Sequence, residues 1–394
     1  MNDTILRIAG RGDGVTADGR HAPFSAPGDA LTAEGAVIPG PHHAVPPCRH
    51  FPICGGCQLQ HLDDESYAGF ITDRIAGALA AHGLATEIRA PLLSPPRTRR
   101  RAALQAEMTG GRVRIGFSEG ASHALVDLEE CWVLTPTLFA LVAPLRALLG
   151  RMMKPKRRVR LHLVEADQGP DLLIEGIAAE GLPAAEAITA FAQRHGVARI
   201  AIDNGMGPEN RWEPEPVTIT LGGVAVPLPY AAFLQATREG EAALVDAVRL
   251  AIGDAGTVAD LFAGLGTFAL ALPGRVYAAE GARDPIGALK SAATLAGRRV
   301  FVDHRDLFRR PLTAEESSRF AAIILDPPRA GAREQVLQLA TATTPVIAYV
   351  SCNPGTFARD AEILCQGGYT LDWIQPVGQF RWSTHVELAA RFSR

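Results

Sequence analysis

The 394-residue chain predicts an α/β protein whose C-terminal part is a doubly wound parallel sheet, and three observations carry that expectation. From about residue 240 apolar runs of strand length alternate with helical stretches, the pattern of a sheet covered by helices on both faces. The first of these strands runs into Gly264-Leu265-Gly266, where backbone can approach a ligand at the start of a helix. Upstream the pattern changes, from short β-type runs with turns to mixed helices and strands. Segments 1–45, 46–235 and 236–394 are therefore expected to form a truncated OB-like β piece, a central α+β domain and the α/β domain.

Composition narrows the class. Hydrophobic residues make up 47% and charged residues 21% of the chain, a balance typical of soluble globular proteins. The formal net charge of -3 supplies no global attraction to nucleic acid, so any RNA or DNA contact must come from local basic patches. Lys154, Lys156 and Lys290 are the lysines among 39 basic residues, so arginine runs carry less weight here than in a balanced composition. The start, Met1-Asn2-Asp3-Thr4, lacks the regions of a signal peptide, and no apolar run reaches membrane-spanning length. A cytoplasmic protein without a membrane partner is expected. Six cysteines in such a chain argue for metal binding or catalysis over a disulfide framework.

In the first segment, residues 5–38 alternate β-type runs with turns at Gly10-Arg11-Gly12-Asp13-Gly14, Ala17-Asp18-Gly19-Arg20 and Ala26-Pro27-Gly28-Asp29. This fits an OB-type RNA-binding appendage or a plain β-meander. Next comes Cys48-Arg49-His50-Phe51-Pro52-Ile53-Cys54-Gly55-Gly56-Cys57. Three thiols within ten residues, beside two glycines that let the backbone turn tightly, point to a metal. Cys131 is the natural fourth ligand, since Cys352 and Cys365 lie in the distant C-terminal half. Structural zinc usually pairs two short Cys-x-x-Cys knuckles. One such knuckle, a wider upstream spacing and a lone remote cysteine suit a cubane iron-sulfur cluster better than zinc.

The central segment shows helical spacing at Tyr67, Phe70, Ile71, Ile75 and Leu79, ended by His82-Gly83. Strands are expected at 102–108, 112–118 and 124–128, with hairpins over 157–177 and 216–228 and helices over 135–152 and 183–195. Two basic runs, 97–101 and 154–160, could each grip phosphates or form a solvated face, and their flanking one domain favours the RNA reading.

In the last segment a helix over 238–252 precedes strand 258–261, which carries Asp260. Gly264, Gly266 and Ala269 fit the loose G-x-G-x-x-A dinucleotide pattern, so a nicotinamide enzyme is one reading. Asp260 before the loop is where methyltransferases place an acid toward a bound methionine part. Glu280 ends the second strand, placed to take ribose hydroxyls in either class. Ile323-Ile324-Leu325-Asp326-Pro327-Pro328-Arg329 discriminates, because Asp-Pro-Pro after a buried strand is similar to nucleic-acid methyltransferases. Enzymes acting on exocyclic amines usually follow it with an aromatic that stacks the flipped base, and Arg329 stands there instead. A carbon target is therefore expected.

That target explains Val350-Ser351-Cys352-Asn353-Pro354, a cysteine at the exit of an apolar strand where a thiolate can reach a ligand crevice. Alone, Cys352 also fits a small buried hydrophobe. The C5 carbon of uracil is a poor nucleophile until a thiolate adds to C6, and a base must later remove the C5 proton. Glu387, in a last strand, is the candidate base. Its plain alternative is an exposed carboxylate on an edge strand.

Together these residues resemble the bacterial RNA uracil-C5 methyltransferase family. The resemblance spans nearly the whole chain, through Cys48 to Cys57, Cys131, Phe233-Leu234-Gln235, Asp260 to Phe268, Leu325 to Gly331, Ser351 to Pro354 and His385 to Glu387. It implies a class I methyltransferase Rossmann-like domain, with Cys352 as nucleophile and Glu387 as base. It also implies a [4Fe-4S] cluster on Cys48, Cys54, Cys57 and Cys131, and S-adenosyl-L-methionine contacts at Gln235, Phe262, Thr267, Glu280, Asp306 and Asp326. The family usually has asparagine where Thr267 stands, and its TRAM domain is longer than segment 1–45. The cluster cysteines look more like the 23S rRNA branch than the tRNA branch, so a monomeric enzyme making 5-methyluridine in 23S rRNA is expected. A non-catalytic iron-sulfur RNA-binding protein of the same fold is the rival of another class.

Overall fold

The computed structural model describes residues 3–120 and 122–394. It separates into two compact units that do not match the sequence segments one for one. The first takes the chain up to Tyr67, Pro95–Thr218 and Arg381–Thr384; the second takes Ala68–Ser94, Ile219–Phe380 and His385–Arg394. Among the described residues no helix is long and apolar enough to cross a membrane.

The first unit opens with five short antiparallel strands, Asp3–Ile8 paired on one side with Gly14–Thr16 and on the other with Ala30–Leu31. Ile5, Ala22 and Leu31 form their small core, which is why this piece is thin compared with the larger sheet of the same unit. The central α+β layer is that six-stranded sheet, in the order 208–212, 199–203, 169–175, 158–166, 101–109, 112–116. Strand Arg101–Thr109 alternates inward and outward residues, and Leu104 and Ala106 are fully buried against helices Val142–Met152 and Leu182–His195. A buried ion pair, Arg199 to Asp171 at 2.7 and 2.8 Å, ties two neighbouring strands of this sheet.

Three local expectations fail here for physical reasons. Residues 124–128 form only a bridge, Ser118 to Leu125, because Asp127 Oδ1 accepts the Ile115 N–H at 3.0 Å and occupies a ladder position. The helix expected over 135–152 is two, Pro136–Ala140 and Val142–Met152, since Pro144 can neither donate to the Ala140 carbonyl nor pack against it without a clash. Strands Arg199–Asp203 and Pro208–Trp212 were invisible in the pattern: both are only five residues long, and the second is exposed and polar.

The second unit is built on the expected parallel sheet: β1 (Thr257–Leu261), β2 (Arg275–Glu280), β3 (Val300–His304), β4 (Ala322–Leu325), β5 (Val346–Ser351), β6 (Thr370–Gly378) and β7 (Glu387–Ser393). The order is β3-β2-β1-β4-β5-β7-β6, with the short strands Glu87–Ile88 and Leu92–Leu93 pairing beyond β6. β1 to β5 are parallel, and β7 inserts antiparallel between β5 and β6. β4 and most of β5 are wholly buried, as a strand covered on both faces must be. The strand order reverses between β1 and β4, and the crevice at the carboxyl ends there is the switch point where such sheets take ligands.

Candidate active site

β5 delivers Cys352 directly to that crevice. Asn353 then caps helix Pro354–Gln366, its side chain accepting the Gly355 N–H at 3.1 Å while its amide donates to the Arg329 carbonyl at 3.0 Å. The 326–331 loop is thereby fastened to the cysteine turn. Asp360, fully buried on the same helix, accepts the Tyr349 hydroxyl at 2.6 Å and the Ala332 N–H at 2.7 Å, joining β5, helix and loop. Gly331 adopts φ +81°, and a Cβ there would lie 2.6 Å from both Arg359 and Asp360, so the loop closes only around glycine.

Antiparallel register brings the second group. Ser351 pairs with Leu388, and Val377 with Glu387, so Glu387 opens β7 at the level where Cys352 leaves β5. It is buried at 3% exposure on an interior strand, which excludes an exposed carboxylate on a sheet edge. Gln379 donates to Glu387 Oε2 at 3.0 Å and to Gln235 Oε1 at 2.7 Å. Burial pushes the Cys352 thiol up, the Glu387 and Asp326 carboxylates push it further, and the Arg329 guanidinium pulls it down. Arg329 also meets His385 at 2.6 Å.

Across the switch point lie the remaining residues of interest. Asp260 is wholly buried; its Oδ2 accepts the Ala269 N–H at 2.9 Å, while Oδ1 has no hydrogen-bond partner among the described residues. Burial, then Asp326 and Glu280, pushes its carboxyl up to about 8, and burial with Glu280 pushes the partly open Asp326 up to about 7. Three crowded carboxylates make a site that favours a cation. Glu280 ends β2 and accepts the Gly264 and Ala282 N–H groups at 3.1 and 2.7 Å. Phe262 sits at φ +65° after β1, its ring 5.5 Å from Phe308. Asp306 accepts the Phe308 N–H at 3.0 Å, and Thr267 is half-buried within the glycine loop. Gly266, at φ +90°, leaves a Cβ no room beside Leu289, 2.4 Å away.

In the first unit Cys48, Cys54, Cys57 and Cys131 line one small pocket with Phe117 and Trp132, all four as free thiols. Burial pushes the Cys57 thiol up to about 12, with the other three thiols adding to it. Cys54 and Cys131 are raised by the same cause. Gly55 and Gly56 permit the turn, for a Cβ on Gly55 would stand 2.8 Å from the Ser118 carbonyl oxygen. Arg99 is half-buried beside Cys57 and Cys131; desolvation lowers its pKa and those two thiols raise it. Among the described residues there is no group of three or more His, Cys, Asp or Glu side chains that could hold a metal ion.

Residues 299–394 match the tRNA (uracil-5-)-methyltransferase family model. An uncharacterized RNA methyltransferase of Zymomonas mobilis is 52% identical, with 99% of each chain covered. The 23S rRNA (uracil(1939)-C(5))-methyltransferase RlmD of Halomonas elongata is 32% identical, over 87% of this chain and 75% of that protein. The chain belongs to the RNA uracil-C5 methyltransferase family. The tRNA (uracil-54, C5)-methyltransferase of Pyrococcus abyssi, solved with S-adenosyl-L-homocysteine, superposes with a TM-score of 0.79 at 23% identity, covering 100% of this chain and 99% of that one. This methyltransferase therefore has the class I fold.

The enzyme's fold brings Cys352, Glu387, Gln235, Glu280 and Asp326 to the carboxyl ends of one sheet, with Phe262, Thr267 and Asp306 in the loops after β1 and β3. Sequence reasoning missed Gln379 and Phe308. Gln379 had one faint signal, a polar residue closing the apolar run of β6; Phe308 had none, since its role depends on Phe262 standing opposite.

Proposed function

We propose that this methyltransferase forms 5-methyluridine in 23S rRNA through a covalent Cys352 adduct, with Glu387 as the base. The observation carrying the reading is the β5/β7 register, which sets a thiol and a buried carboxylate at one level of the ligand crevice. Cys352 Sγ adds to C6 of a flipped uracil, and the C5=C6 electron pair moves into the ring carbonyl as an enolate. C5 then takes the methyl group with cleavage of its bond to sulfur, and S-adenosylhomocysteine leaves. Glu387 removes the C5 proton, the C5=C6 bond re-forms, and the Cys352 thiolate departs.

S-adenosyl-L-methionine supplies the electrophilic methyl, and the residues fit a cationic ligand. Asp260 keeps an unpartnered oxygen among the described residues in a carboxylate-rich crevice, and Gly264 leaves open space for close approach. Gln235, Phe262, Thr267, Glu280, Asp306 and Asp326 are the proposed contacts. Phe262 and Phe308 offer an apolar face for a flat ring, and the Glu280 carboxylate suits ribose hydroxyls.

We assign Cys48, Cys54, Cys57 and Cys131 as ligands of a structural [4Fe-4S] cluster. The four thiols line one pocket, and one Cys-x-x-Cys knuckle with a lone remote cysteine differs from the paired knuckles usual for structural zinc. A cubane presents a separate iron to each thiolate, and Arg99 beside Cys57 and Cys131 offsets anionic charge. Visible absorption of anaerobically purified protein distinguishes the two.

The covalent step is tested with Glu387→Gln. That variant should methylate and then retain RNA covalently, while Cys352→Ala should form no adduct. Folded Glu387→Gln protein that binds cofactor yet shows no adduct removes the base assignment. The rRNA reading draws on the relative named for 23S rRNA. Mapping 5-methyluridine in a deletion strain decides between 23S rRNA and tRNA.

A further inference from the structure

We infer that Gln379 is a positioning residue that holds the proposed base Glu387 and the proposed cofactor contact Gln235 in one hydrogen-bonded unit. The inference rests on the Cys352/Glu387 reading above. Gln379 is buried at 1% exposure, in the turn between β6 and β7. The Ala236 N–H donates to its Oε1 at 2.7 Å. A backbone N–H can only donate, so the oxygen must face Ala236 and the NH2 group must face the other way. Its nitrogen then donates to Gln235 Oε1 at 2.7 Å and to Glu387 Oε2 at 3.0 Å. Both amide hydrogens are thus committed, one to each side chain.

The packing beneath is specific to this arrangement. Gly240, in the first turn of helix Arg238–Ile252, lies under Gln379; a Cβ there would sit 2.5 Å from the Gln379 Cβ and 3.2 Å from its Oε1. The helix start therefore leaves room for this one side chain. An N–H donated to one carboxylate oxygen favours the ionised form of that carboxylate and fixes its plane. Gln379 itself touches no reacting atom. Its effect falls on elimination, the step after methyl transfer.

The test separates those two steps in the full-length enzyme. Single-turnover methyl incorporation from labelled cofactor is compared with release of RNA, read as adduct on a denaturing gel. Gln379→Met removes the donor. Gln379→Glu keeps the acceptor for Ala236 and the side-chain length, but sets an acceptor against Glu387, so it serves if the apolar variant misfolds. Both should methylate within about 3-fold of wild type, release product at least 10-fold more slowly, and accumulate the adduct seen with Glu387→Gln. Cofactor affinity should fall about 3- to 10-fold as Gln235 loses its partner. If folded variants release RNA at the wild-type rate, or methylation and release fall together, while Glu387→Gln still traps, the role of Gln379 is refuted and the base assignment stands. If Glu387→Gln traps nothing, the underlying reading fails and the inference with it.

Discussion

Two sets of cysteines in this protein are alike in being half-buried and differ in whether other thiols surround them. Around the four thiols of the first unit, Cys54, Cys57 and Cys131 are each raised by neighbouring thiols, Glu130 raises Cys48, and Arg99 lowers Cys131. Around Cys352 the neighbours are of both signs: Glu387 and Asp326 raise the thiol, Arg329 lowers it. Thiols that crowd one another ionise most readily when a cation arrives to hold them together, which is the basis for the proposed cluster there. A lone thiol between a guanidinium and a carboxylate has a group to favour its anion and a second group to take a proton. The residue type is therefore uninformative until its surroundings are known.

Cys352→Ala is the severest attempt to break this contrast. Methylation should fall on the order of 10⁴-fold, with visible absorption of the purified protein unchanged; a smaller loss means that the thiol is not the nucleophile. Cys131→Ser should do the reverse. Visible absorption should be lost and the melting temperature should drop by about 10 °C, as measured by calorimetry, and retained absorption would exclude Cys131 as a ligand. Arg329→Gln sharpens the comparison at the other site, since it removes the group that lowers the Cys352 thiol. Adduct formation at neutral pH should slow about 10-fold and recover as pH is raised, because the thiolate is the reacting form; a pH-independent deficit would assign Arg329 to RNA contact instead.

The smallest effect concerns two carboxylates of the crevice, Asp260 and Asp326. Asp260 and Asp326 hold protons in the folded protein up to about 8 and about 7, against about 4 in an unfolded chain. With folded values raised, their contribution to stability is lost as pH rises from about 4 through about 8. A cationic ligand offsets that loss. The increase in melting temperature caused by S-adenosyl-L-methionine should therefore grow by a few degrees between pH about 6 and about 8, and Asp260→Asn should flatten the trend. A stabilisation that shrinks with pH would show that these carboxylates do not face the cofactor.

Much of the catalytic unit was legible because its signals are local. Apolar runs such as Ile323–Leu325 and the Asp-Pro-Pro and Ser-Cys-Asn-Pro stretches announce buried strands and the turns after them, whatever lies elsewhere in the chain. The cysteine spacing is local in the same way, and the fold gathers Cys48, Cys54, Cys57 and Cys131 around one pocket. The first unit was harder to read: Pro208–Trp212 is exposed and polar, and it becomes a strand only because Arg199–Asp203 offers it an edge.

Chain order and residue chemistry alone thus settled which side chains were available: a thiol after β5, carboxylates on or after β1, β2 and β4, and glycines where a ligand must approach. Tertiary structure alone decided that Glu387 is buried opposite Cys352, because β7 enters between β5 and β6 and its register is set by pairing with strands distant in sequence. Gln379 depends on the same long-range event. Its partners at residues 235, 236 and 387 converge only after the sheet closes, and no periodicity within a single segment encodes a meeting of that kind.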